Sequence, residues 1–75
     1  MSPEKLVYMA NQIATFFKSQ PGDGAIAGVA QHISDFWEPR MRAQLFDLIA
    51  QDGGGFDPMV IKAAPLIRKV KQPAS

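Results

Sequence analysis

The sequence has 75 residues, 47% of them hydrophobic, with a formal net charge of +1 and no cysteine. A chain of that length predicts one compact domain around a single core. The lack of cysteine excludes disulfides, thiolate zinc sites, iron–sulfur ligation and cysteine catalysis.

In the first segment, Ser2 as N-cap and Pro3 at the first helical position open a run in which Leu6, Met9, Ala10, Ile13, Phe16 and Phe17 recur at three and four. That spacing predicts an amphipathic helix over 3–19. The PGDG stretch at 21–24 is turn chemistry, with Asp23 a cap for a second helix over 24–37 whose stripe is Ala25, Ile26, Val29, Ile33, Phe36 and Trp37. Pro39 disfavours helical geometry at Glu38 and itself suits a first turn, so a third helix is expected over 39–51 with Met41, Leu45, Leu48 and Ile49 inward. QDGGG ends it. Asp57 followed by Pro58 repeats the cap-then-proline start for a shorter segment carrying Val60, Ala63, Ala64 and Ile67, which Pro65 should kink. The expected fold is therefore all-α, a small domain of three to four helices with a core from 3 to 64 and a basic tail from 65 to 75.

Charge is distributed unevenly. Residues 1–57 hold four cations against all seven acids, a net −3, while residues 58–75 hold Lys62, Arg68, Lys69 and Lys71 with no acid, a net +4. Cations at a helix C-terminus followed by a solvated tail account for this, and docking onto an acidic partner surface is the functional alternative. The N-terminal MSPEKLVYMANQ has Glu4, Lys5, Asn11 and Gln12 where a signal peptide needs an apolar core. No apolar run approaches the ~18 residues of a membrane span, so a soluble, cytoplasmic protein without membrane contact is expected.

Phe36 and Trp37 both fall inside the stripe of the second helix and read as core. His32 sits on the border of that stripe, with no serine, cysteine or paired acid in register, and reads as a packing residue rather than a ligand or base. On a third helix that starts at Pro39, Arg40 points towards Gln44 and Asp47 on the polar face. Arg42 instead projects between Phe46 and Ile49, where a guanidinium must snorkel or find an acceptor. Two readings of Arg42 stand side by side: pairing with Asp35 or Glu38, or a planar fork offered to a carboxylate or carbonyl on another chain. Tyr8 lies with Gln12 and Thr15 opposite the stripe of the first helix, the composition of an interface surface. With Arg42, Arg40, Met41 and Phe46 it forms the expected partner interface. The acids are scattered, and H-E-x-x-H, G-x-S-x-G, phosphate-loop and metal-ligand spacings are all missing, so no catalytic, cofactor-binding or metal-binding residue is assigned.

LVYMANQIATFF at 6–17, HISDFWEPRMR at 32–42 and GGGFDP at 53–58 together resemble the delta subunit of soluble, NAD-dependent, molybdenum-containing formate dehydrogenases, over about residues 3–60. The most specific part is FW-x-PRMR, matched by Phe36, Trp37, Pro39, Arg40, Met41 and Arg42. The resemblance implies a non-catalytic accessory chain that holds no cofactor and associates with a large alpha subunit carrying molybdopterin guanine dinucleotide and iron–sulfur clusters. It places FMN and NAD chemistry on other subunits. A transient maturation chaperone for that alpha subunit stays open. So does a helix-turn-helix nucleic-acid binder, although the third helix offers that reading only two basic residues and puts Asp47 on its polar face.

Overall fold

The computed structural model describes residues 2–20, 24–51 and 53–70. Its elements are α1 (Pro3–Lys18), α2 (Ala25–Phe36), α3 (Pro39–Gln51) and α4 (Pro58–Ala63), followed by a 3₁₀ turn at Ala64–Leu66. There is no strand among the described residues. The all-α expectation and the helix bounds read from periodicity agree with this order to within a residue or so.

The caps explain the boundaries. The Ser2 hydroxyl accepts from the Lys5 amide, Pro3 occupies the first turn with Glu4, and Lys18 lies in the last turn, so α1 is complemented at both ends. The N-cap of α2 is Gly24, so the helix starts without a side-chain cap. The expected cap, Asp23, lies outside the described residues. At the other end Trp37 leaves the helix with φ −87° and ψ 136°, an extended geometry that turns the chain before Glu38 and Pro39. Asp57 caps α4, accepting from the Met59 amide at 2.9 Å. Pro65 cannot donate to the helix ladder, and the chain tightens there into the 3₁₀ turn rather than continuing as α-helix.

α2 is the central element, packed against both α1 and α4, while α1 also reaches α3 and α4. Leu6, Val29, Ile33, Leu45, Val60 and Ile67 are fully buried, with Trp37 and Phe56 closing the core. Each such side chain removed from water contributes about 1.5–3 kcal/mol before ordering costs. Ala10 and Ala14 are completely buried as well. Their small side chains sit one turn apart in line with Leu6 and let α1 lie close to its neighbours.

Two aromatic assignments are corrected. Phe16 is 58% exposed and Phe36 is 73% exposed, whereas Trp37 is only 6% exposed. The buried arc of α1 runs through Leu6, Ala10 and Ala14, and that of α2 through Val29, Ala30 and Ile33, which leaves both phenylalanines at the margins. Trp37 turns inward because its backbone has already left the helix. A third correction concerns the tail. Ile67 is 2% exposed and belongs to the core, so the packed domain runs past residue 64. Residues 71–75 lie outside the described residues.

Candidate partner interface

The corner between α2 and α3 holds the PRMR residues, and the second of its arginines faces inward. Arg42 is 6% exposed and donates from Nη1 to the Arg68 carbonyl at 2.9 Å. Neither Asp35 nor Glu38 is its acceptor, and the side chain is turned into the domain. Its Nε is buried without an acceptor among the described residues. The same C-terminal segment is held twice more. The Arg68 amide donates to Ser34 Oγ at 2.9 Å, and its guanidinium lies 3.5 Å from Asp35, which also accepts from Gln31. Lys69 places its ammonium 5.6 Å from the centre of the Phe46 ring. Of the other residues read as interface, Arg40 is exposed, Met41 and Phe46 are half-buried against the core, and Tyr8 is 65% exposed. Tyr8 borders a hollow with Asn11, Gln12 and Thr15 of α1, and no PRMR residue lines it.

A second polar tie joins the MANQIA and GGGFDP stretches. The Asn11 carboxamide donates to the Gly55 carbonyl at 2.8 Å and accepts from the Asp57 amide at 2.7 Å. Gly55 reaches this position with φ +87°, a backbone region open to glycine. Lys18 pairs with the Asp57 carboxylate. That contact, then the Met59 amide, holds the Asp57 carboxyl below its ordinary value of 3.8. In the sequence Asn11 speaks only against a signal peptide, because an asparagine inside an amphipathic helix reads as a solvated position.

Several aromatic rings meet at the surface. Phe16 and Phe17 meet edge to face with centroids 5.1 Å apart, Phe17 meets His32 at 6.5 Å, and His32 lies 4.7 Å from Phe36 in a tilted stack. Gly28 makes the continuity feasible: a Cβ there would lie 2.5 Å from Phe17 Cε1. A shallow groove between α1 and α2 is lined by Gln12, Ile13, Phe16, Phe17 and His32. The i, i+4 spacing of His32 and Phe36 was the signal available in the sequence, read there as packing.

Among the described residues no group of three or more His, Asp or Glu could hold a metal ion, and no helix is long and apolar enough to cross a membrane. What the fold and these contacts define is a small all-α scaffold that uses its polar motif residues to hold itself together. The chain belongs to the formate dehydrogenase delta-subunit family: the family model described as NADH-dependent formate dehydrogenase delta subunit FdsD matches residues 5–64. That match runs from the first turn of α1 through α4 and contains all three motif stretches. Comparison with curated proteins gave no match.

Proposed function

We propose that this chain is a cofactor-free, non-catalytic subunit of an NADH-dependent formate dehydrogenase complex, which binds the large molybdenum-containing alpha subunit in the cytoplasm and supports its assembly or activity. One observation carries the reading beyond family membership. Arg42, Asn11, Lys18 and Asp57 are all engaged within the domain, while Tyr8, Phe16 and Phe36 are more than half exposed. Large aromatics left in water beside internally paired polar side chains are the composition of a protein-binding surface. Molybdopterin guanine dinucleotide, iron–sulfur, FMN and NAD chemistry belong, on this reading, to the other subunits.

A maturation chaperone for the alpha subunit is the second reading, favoured by the same exposed aromatics. Nucleic-acid binding is disfavoured, because a recognition helix at α3 would have Arg40 as its one exposed basic residue once Arg42 is turned inside. Purification of the intact complex from its native host tests all three. Stoichiometric recovery of this chain with the active enzyme is expected. Recovery only from immature, cofactor-poor enzyme would support the chaperone, and retention of nucleic acid in place of the enzyme would defeat both protein-binding readings.

A further inference from the structure

We infer that the corner where α2 meets α3 is a recognition site for the main chain of an extended segment with an apolar residue followed by basic ones, and that this chain's own residues 67–69 occupy it as a displaceable strap. The inference stands independently of the subunit reading. It begins with Arg68, whose two main-chain polar groups are both taken by side chains. Its amide donates to Ser34 Oγ of α2 at 2.9 Å, and its carbonyl accepts from Arg42 Nη1 of α3 at 2.9 Å. A helix or sheet would pair those groups with backbone. Here two helices offer side chains to a backbone that has just left the 3₁₀ turn, through Ile67 at φ −72° and ψ 139°, an extended geometry. Hydrogen bonds to the main chain hold a segment whatever its sequence, and the surroundings then choose its side chains.

Three successive positions are chosen in this way. Ile67 is 2% exposed and packed into the core cluster, which demands an apolar residue. The Arg68 guanidinium lies 3.5 Å from Asp35, and the Lys69 ammonium lies over the Phe46 ring, 5.6 Å from its centre. Both of these positions therefore favour a cation. An acidic residue at either would meet the Asp35 carboxylate or the negative face of the ring. The ligand class is an apolar–basic–basic peptide in extended form.

The present occupant fills the site incompletely. Arg42 Nε is buried without an acceptor among the described residues, and an unmet buried donor weakens the closed arrangement. The ion pair adds little, because the Arg68 and Asp35 side chains are 63% and 41% exposed and are screened by water. Opening the strap gives up the burial of Ile67 and two main-chain hydrogen bonds, hydrates Arg42, and leaves α1 packed on α2 and α3. Such a segment opens at lower cost than the whole domain. An incoming segment of the same pattern then restores what the strap gave up.

The test is heteronuclear NMR of the full chain titrated with the capped synthetic peptide Leu-Ile-Arg-Lys-Val, comparing the parent with Arg68→Pro. Proline at position 68 removes the amide that Ser34 accepts, and it suits the extended geometry already present at Ile67. The peptide is expected to shift the resonances of Ser34, Arg42 and Phe46 in Arg68→Pro, and to bind the parent about tenfold or more weakly because the strap fills the site. The peptide Leu-Ile-Glu-Glu-Val should shift none of them. Shifts absent from a folded Arg68→Pro chain, or equal for the two peptides, overturn the site. If the proline variant does not fold, hydrogen exchange of the parent decides. The Arg68 amide should exchange about tenfold or more slowly than in the free peptide, about tenfold or more faster than the Ile33 amide, and faster still in excess Leu-Ile-Arg-Lys-Val. Exchange at the free-peptide rate overturns the clamp. Exchange in step with Ile33, or unmoved by the peptide, overturns the displaceable strap.

Discussion

Arg42 is a cation nine-tenths buried whose Nη1 bonds a backbone carbonyl and whose Nε has no acceptor among the described residues. Two terms oppose each other there: lost packing and a lost charge-assisted bond if the side chain is truncated, and a relieved desolvation cost if the charge is removed. Arg42→Ala should lower the stability of the free chain by about 1–3 kcal/mol, and Arg42→Met, which keeps the stem, by less. Urea unfolding of both variants checks the order. Asp57 gives a pH signature. Its folded carboxyl titrates below the ordinary value because the Lys18 ammonium and the Met59 amide favour the charged form. The unfolded chain therefore binds more protons between the two values. The stabilisation is present above the ordinary value of 3.8 and lost as pH falls through the folded one. Asp57→Asn should flatten that acid limb, read by thermal melts between neutral pH and the acid transition. At neutral pH the loss is small, since half of the Lys18 side chain is in water.

At the scale of elements, Gly28 sets how closely α1 approaches α2. Alanine there gains up to about 1 kcal/mol of helix propensity, but its Cβ would enter the Phe17 ring. Overpacking of this kind costs about 1–3 kcal/mol, so Gly28→Ala should be neutral to destabilising. In a Phe17→Ala background it should become stabilising; a double-mutant cycle by urea melts reads the coupling directly. The helices themselves were legible because each carries its punctuation: Ser2 with Pro3, Pro39, the glycines after Gln51, Asp57 with Pro58. Exposure at the ends of helices was less so. Phe16 and Phe36 satisfy the periodicity of a buried stripe, yet the width of the buried arc depends on which neighbours sit across from it. The sequence has no direct statement of that. Ala14 shows the converse, a small residue outside the expected stripe that is fully buried because α1 packs closely.

For the whole molecule, the fourth segment changes the picture most. Its apolar residues were readable, but its path was not, since a kinked segment after three helices can fold back onto any of them. The structure sends it across α2, buries Ile67, and ties Arg68 to Ser34 and Arg42. The candidate interface was legible in the same partial way. Tyr8 was visible as an exposed aromatic within one helix, whereas the Phe17, His32 and Phe36 contacts exist only once α1 and α2 are side by side. Six residues are too few for α4 to persist as a helix alone. It must form on a template already assembled by α1 and α2. The two Asn11 hydrogen bonds then close contacts across 44 and 46 residues of chain. Such contacts reward the chain only after its loop entropy has been spent. The asparagine thus belongs to the last step of folding rather than the first, and its replacement by alanine should accelerate unfolding while leaving the refolding rate nearly unchanged in stopped-flow measurements.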